Sequence, residues 1–354
     1  MKTEHILVIR FSAIGDIAMV VPVVASMAKQ YPDVRITVLS KPFVRPLFEN
    51  LATNVGFMGA DLKSEYHGVR GLNALYRRLT AKQFTAVADL HNVLRSEFLR
   101  LRFNLGRYKV AHINKHRKGK RMLVRQKNKV MRQQPTSIQN YMDVFKKLGY
   151  PVKLDFTNIY EQAAPDLTLL PPDFAQPKGN GPWIGVAPFA AHAGKVYPQD
   201  LMEKVIAGLT ERYPEGRLFF FGGGATEMEA FDRWTADYPQ SVNASKQLNG
   251  FQQELLLMSR LDVMVSMDSG NMHLAVLAGT PVVSIWGATH PFAGFLGYGM
   301  TEENVLQVND LDCRPCSVFG NKPCLRGDYA CLRRITPTMV IEKISAMLSA
   351  KAGR

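Results

Sequence analysis

Short blocks of bulky apolar residues recur along the chain. Each is followed by a turn of small or polar residues and then by a stretch whose apolar positions fall at helical spacing. Ile6 to Ile9 is the first block, apolar on successive positions, which marks a strand buried on both faces. Phe11-Ser12-Ala13-Ile14-Gly15-Asp16 reads as its turn, and Ile17 to Lys29 as an apolar helix stopped by Tyr31-Pro32-Asp33. Val34 to Leu39 is the next strand and Pro42 to Leu51 a short helix. Val55 to Met58, Leu72 to Leu79 and Thr85 to Leu90 continue as strand, helix and strand, and Ile138 to Leu148 as an amphipathic helix. This alternation predicts a doubly wound parallel sheet, whose ligands sit beyond the carboxyl ends of the strands. Asp16 and Asp89 both fall at such ends.

Five prolines and two glycines between Pro165 and Pro182 interrupt the pattern and mark a boundary, giving an N-terminal domain over 1–170 and a C-terminal domain over 171–354. Beyond it the alternation restarts with strands at Trp183 to Ala187, Arg217 to Phe221, Val263 to Ser266 and Val282 to Trp286. Helices are expected at Gln199 to Arg212, Glu227 to Tyr238, Phe251 to Leu261 and, at the end, 338–348. The fold class is therefore α/β, with two Rossmann-like doubly wound domains in tandem facing a central cleft.

Composition adds little until charge is located. The chain has 354 residues, 46% apolar and 21% charged, values ordinary for a globular protein. The longest apolar run, Ile17 to Ala28, contains Pro22 and falls short of the roughly 20 residues a membrane span needs. The opening residues lack the apolar core and cleavage site of a signal peptide, so a cytoplasmic location is expected. The formal charge of +14 is concentrated. Between Arg95 and Arg132 stand fourteen Lys or Arg and one acid, Glu97, a net +13 that leaves the remaining chain at +1. Interleaved Phe98, Phe103 and Tyr108 would suit RNA or another polyanion, a solvated helical face would explain the run equally, and a membrane-facing surface for phosphorylated lipid is a third reading.

Four further stretches carry candidate chemistry. Asp268-Ser269-Gly270-Asn271-Met272-His273 lies between a strand and a helix, where free backbone N–H groups and the helix dipole suit an anionic oxygen. There Ser269 can cap the helix and Gly270 allows close approach; the plain alternative is a well-capped helix. Gly222-Gly223-Gly224 followed by Glu227 departs from the dinucleotide fingerprint but still implies a closely approached backbone, with Glu227 available to a ribose or to the helix dipole. Lys195, in a loop of small residues, can neutralise a phosphate. Asp16 can serve as a general base or a helix cap. Cys313, Cys316, Cys324 and Cys331 use every cysteine in the segment 313–331; the first pair has the spacing of a structural zinc site, but the intervals to the others are irregular, and no metal or cofactor is assigned.

Taken together, these motifs resemble glycosyltransferase family 9, the ADP-heptose:lipopolysaccharide heptosyltransferases of GT-B fold. The resemblance rests on Arg10 to Asp16, Asp89 to Ser96, Gly194 to Pro198, the glycine run ending in Glu227, Asp268 to Ala275, and the late Cys-Arg-Pro-Cys. Tyr197 stands where tryptophan is usual, and His91-Asn92 where Gln-Gly is common. The resemblance implies an inverting transfer of heptose from ADP-heptose to an anionic, lipid-linked inner-core acceptor, at the cytoplasmic face of the inner membrane, with peripheral membrane contact and without nucleic acid. Asp16 would be the base, and Lys195, Glu227, Asp268, Ser269, Gly270 and His273 would hold the donor. Arg10 and Arg95, with the cluster from Lys115 to Arg121, would meet the acceptor. A GT-B transferase of another nucleotide sugar, or a polyanion-binding protein acting through Arg95 to Arg132, are the alternatives.

Overall fold

A computed structural model describes residues 4–352; residues 1–3, part of the opening stretch read above for a signal peptide, and residues 353–354 lie outside the described residues. The chain folds as two units. One comprises residues up to Lys115 together with Ser137–Ala164, the other His116–Thr136 together with the chain from Pro165 onward.

In the first unit, strands β1 (His5–Ile9), β2 (Arg35–Ser40), β3 (Val55–Gly59), β4 (Ala86–Asp89) and β5 (Lys109–His112) form a parallel sheet in the order β3-β2-β1-β4-β5. Ile6, Leu7, Val8 and Ile9 are fully buried, which is why the central strand is apolar on both faces. The helix expected over 17–29 is two helices, Ile14–Ala18 and Val20–Gln30, meeting at Met19. Pro22 falls in the first turn of the second, where its missing N–H has no intrahelical acceptor to lose. Every residue from Val20 to Ala28 is buried, so this helix is apolar all round rather than amphipathic. The basic window hides three further elements, the helix Leu94–Leu105, β5 and, in the second unit, the helix Arg117–Leu123, because cations break up the apolar pattern that marks them.

In the second unit, β6 (Trp183–Ala187), β7 (Arg217–Phe220), β8 (Ser241–Asn243), β9 (Val263–Met267), β10 (Val282–Trp286) and β11 (Val305–Gln307) form another parallel sheet, ordered β11-β10-β9-β6-β7-β8. The chain runs outward from β6 in one direction and, after β8, restarts at β9 on the other side, so the topological switch lies between β6 and β9. One face of this sheet packs Val205, Leu209, Phe231 and Trp234 with Val340 and Ile344 of the terminal helix Pro337–Ala352. That helix is longer than the periodicity alone suggests.

The stretch His116–Thr136 carries eight of the fourteen cations of the basic window into the second unit. Lys129 Nζ donates to the carbonyls of Asp312 at 2.7 Å and Arg314 at 2.8 Å, and the Gln134 N–H donates to the Phe292 carbonyl at 2.8 Å. Positive charge is thus shared between the units rather than confined to an N-terminal domain.

Candidate active site

In the second unit, three of the singled-out stretches leave the carboxyl ends of neighbouring parallel strands. Lys195 follows β6, Glu227 follows β7, and Asp268 to His273 follow β9, with β9, β6 and β7 adjacent in the sheet. Lys195 Nζ lies 2.9 Å from Asp268 Oδ2, bridging the loops on either side of the switch point. Thr289 Oγ1 donates to the same carboxylate oxygen at 2.9 Å. Asp268 is almost completely buried, and both of these contacts tie it to the protein, so it orients Lys195 and is not open to a ligand at that oxygen.

Helix Gly270–Leu277 begins directly behind Asp268. Ser269 occupies its N-cap position with extended backbone, but the expected cap is not made: the side chain makes no hydrogen bond to the helix start and lies 3.3 Å from Ser266 Oγ. The first N–H groups of the helix are consequently left uncapped by Ser269, the condition an anion site requires. Gly270 opens the helix, and His273 is buried within its first turns.

Glu227 lies in the first turn of helix Ala225–Asp237. Its Oε2 accepts the Gly223 N–H at 2.7 Å, which folds the carboxylate back over the glycine run. A side chain at Gly222 would meet this oxygen at 2.3 Å, whereas nothing lies within 4 Å of the corresponding position at Gly223. The glycine run is therefore closed on the Glu227 side at Gly222 and open at Gly223.

In the first unit, Asp16 lies in the short helix after β1, with its carboxylate partly exposed. Arg10, at the end of β1, is buried and reaches Asp16 Oδ2 at 2.5 Å while donating from Nη1 to the Leu90 carbonyl at 2.6 Å. The Ala13 N–H donates to the same Asp16 oxygen at 3.2 Å, and Tyr141 Oη–H donates to the Asp16 backbone carbonyl at 3.1 Å. Arg10, expected at the acceptor, is thus used from within the protein to hold Asp16. His91 Nε2 is 3.3 Å from Ser12 Oγ, and its pKa is pushed down to about 3, chiefly by burial and then by the Arg10 and Lys115 charges. Asp89, also at a strand end, is fully buried; it accepts the N–H groups of His91 and Asn92, both at 2.9 Å, and pairs with Arg100 at 3.1 Å. It organises the loop and faces no ligand. Arg95 is exposed in the first turn of the helix Leu94–Leu105 and pairs with no carboxylate among the described residues.

Comparison with known proteins decides what these arrangements belong to. The sequence model of "Glycosyltransferase family 9 (heptosyltransferase)" matches residues 72–322, well over half of the chain. The chain belongs to glycosyltransferase family 9. The lipopolysaccharide core heptosyltransferase OpsX of Haemophilus influenzae is 23% identical over 301 residues, covering 81% of this chain and 80% of that protein. Among solved structures, E. coli ADP-heptose lipopolysaccharide heptosyltransferase II is similar at a TM-score of 0.68 and 18% identity, over 98% of this chain and 99% of that one. E. coli heptosyltransferase WaaC, solved with ADP, gives 0.68 and 16%, over 97% and 99%. A family 9 glycosyltransferase of Veillonella parvula gives 0.72 and 17%, over 99% and 98%. At these identities the structural likeness carries the fold, and the two doubly wound sheets are those of the GT-B architecture.

Several residues that position the candidate site have no local sequence signal. Arg314, from the Cys-Arg-Pro-Cys stretch, is buried and donates to the carbonyls of Gly287 at 2.7 Å and Thr289 at 3.0 Å, fixing the loop that presents Thr289 to Asp268. Gly320, in the same lobe, has φ +75 and lies against the Lys195 stem; a Cβ there would fall 2.6 Å from Lys195 Cγ. The cysteine-rich segment is therefore a buttress for the Lys195 loop. Its four free cysteines line one small cavity, and among the described residues no three His, Cys, Asp or Glu side chains are grouped to hold a metal. Burial pushes the Cys331 thiol up to about 11. No helix among the described residues is long and apolar enough to cross a membrane.

Proposed function

We propose that this family 9 glycosyltransferase moves a heptose from ADP-heptose to an anionic, lipid-linked inner-core acceptor of lipopolysaccharide, with inversion at the anomeric carbon, at the cytoplasmic face of the inner membrane. The observation that carries the reading is the convergence of Lys195, Glu227 and the uncapped helix start at Gly270 on adjacent strand ends at the switch point of one sheet. A nucleoside diphosphate has a ribose and two phosphates to be met, and these groups match them in kind. Glu227 keeps Oε1 for a ribose hydroxyl while Oε2 is held by Gly223. Lys195 and the N–H groups at Gly270, with His273 behind them, take up the charge that grows on the departing diphosphate. The relatives agree in kind, since E. coli WaaC was solved with ADP.

On the acceptor side, Asp16 removes the proton of the attacking hydroxyl as its oxygen bonds to the anomeric carbon and the bond to the diphosphate breaks. Arg10 and the Ala13 N–H share Oδ2, which leaves Oδ1 as the basic oxygen. Arg95, exposed and without a carboxylate partner among the described residues, is available to an acceptor carboxylate or phosphate.

The test separates the two roles. Asp16→Asn is expected to lower turnover by roughly 10²- to 10⁴-fold, the usual contribution of a general base, with ADP affinity close to wild type. Full turnover in that variant would remove the mechanism. In a thermal-shift panel, ADP should stabilise the protein above UDP, GDP and CMP; stabilisation by another nucleotide instead would replace the donor.

A further inference from the structure

The helix Leu94–Leu105 has two apolar faces, one buried in the fold and one whose leucines are exposed. On the inner face, Ser96, Leu99 and Phe103 are fully buried, the last two packing among Leu72, Leu75 and Leu79. On the opposite face, Leu94, Leu101 and Leu105 are 84%, 58% and 73% exposed, with half-buried Phe98 between them packing back against the same core. These four positions follow one another at intervals of four, three and four residues, so they form a single stripe along the helix. A lone exposed leucine needs no explanation, but an exposed stripe of this kind marks an interaction surface. Helix formation does not account for it, since Gln, Lys or Glu would serve the backbone as well.

The border of the stripe says what covers it. Arg95 and Arg102 lie along one edge and are exposed, Arg107 and Lys109 follow the helix end, and Arg77 is exposed on the adjoining helix Gly68–Thr80. Arg102 is held over the Tyr76 ring at 4.8 Å. Glu97, the lone acid of the helix, lies on the opposite edge. Apolar side chains facing outward beside a row of cations are the pattern of a helix that lies in the plane of a bilayer surface, its leucines among the acyl chains and its arginines at anionic headgroups. Twelve residues are too few to span a bilayer. A nucleic acid has no use for the leucines, and an apolar protein groove has none for the arginines.

We propose that the exposed leucines of the outer stripe, Leu94, Leu101 and Leu105, dock the enzyme on an anionic phospholipid surface. The proposal deepens the reading of a lipid-linked acceptor and rests on it for its purpose. It is tested apart from catalysis. The full chain is sedimented with vesicles of phosphatidylethanolamine and phosphatidylglycerol, free of acceptor glycolipid, and with vesicles of phosphatidylcholine alone. Wild type should bind the anionic vesicles, release as salt rises, and bind the neutral ones weakly. The triple variant Leu94→Gln, Leu101→Gln, Leu105→Gln should bind the anionic vesicles at least about tenfold less, with an unchanged thermal shift by ADP. Equal binding of variant and wild type, or no preference for anionic lipid, would overturn the docking role. So would a wild-type dimer in sedimentation velocity that the triple variant dissolves, because the stripe would then belong to a second copy. A missing ADP shift in the wild type would instead strike the nucleotide-sugar reading and leave the vesicle result standing.

Discussion

Replacing Asp268 by asparagine keeps the shape of the side chain and removes its charge, so it isolates what the buried carboxylate does for Lys195. At 2.9 Å the Lys195–Asp268 pair is worth about 6 kcal/mol of Coulomb attraction at an effective dielectric of about 20, much of it offset by desolvation of two groups that are only 15% and 4% exposed. Removing one partner of such a pair typically costs about 3–5 kcal/mol, because the other charge remains buried and unpaired. Asn can still accept the Thr289 hydroxyl, which places the expected loss for Asp268→Asn near the lower end, about 3 kcal/mol by urea denaturation. The loss should shrink by at least about 1.5 kcal/mol in a Lys195→Met background, where no cation needs the carboxylate. ADP titration gives the complementary split. Lys195→Met should weaken ADP by roughly 10- to 100-fold, the loss of one charged contact to phosphate, whereas Asp268→Asn keeps the cation and should stay within a few-fold of wild type. Stability losses that simply add in the double variant would refute the coupling. ADP binding lost with Asp268 but kept without Lys195 would refute the assignment of holder and contact.

Gly320→Ala is expected to destabilise the protein by about 1–3 kcal/mol and to weaken ADP, since a Cβ at φ +75 and 2.6 Å from Lys195 Cγ strains the backbone and displaces the lysine together. Calorimetry and titration on the same sample check both. His91 has a folded-state pKa of about 3, below its ordinary 6.5, so the unfolded chain binds the extra proton between those values. Its contribution to stability is therefore present above pH 6.5 and lost as pH falls toward 3; His290, lowered to about 4, acts in the same direction. Glu254, which burial raises from 4.5 to about 7, acts oppositely, its contribution being lost as pH rises through that window. Denaturation curves at several pH values should show a shallower acid slope for His91→Gln and a shallower loss toward pH 7 for Glu254→Gln.

The elements the sequence announces are those whose apolar pattern is unbroken. Trp183–Ala187, Gln199–Arg212 and Val282–Trp286 fall at the expected residues, and the glycine and proline stops that end them act locally. Three-residue β8 and β11 are too short to carry a pattern, and Leu94–Leu105 is masked by its arginines. At the site, the position of each motif at a strand end was legible, because strand, small residue and helix start are neighbours in sequence. What each side chain does there was not. Asp89 and Asp16 look alike as acids ending strands, yet one is sealed in by two N–H groups and Arg100 and the other keeps an oxygen outward. Only contacts between distant segments separate them.

The two charged pairs of this enzyme are built on one plan with the signs exchanged. In the first unit a cation, Arg10, is the buried member at 7% side-chain exposure and Asp16 the outer one at 28%. In the second, the acid Asp268 is the buried member at 4% and Lys195 the outer one at 15%. A buried ion fixed by backbone or hydroxyl partners is costly to move, so it sets direction; its more exposed partner keeps lone pairs or protons to spare. The outer group is an acid in one pair and a cation in the other, which matches the proposed division of labour, a proton taken by Asp16 and phosphate received by Lys195. On the proposed mechanism, substituting the inner members, Arg10 or Asp268, acts on chemistry only by misdirecting the outer ones, and the residue proposed to touch substrate is in each pair the one the fold leaves closer to water.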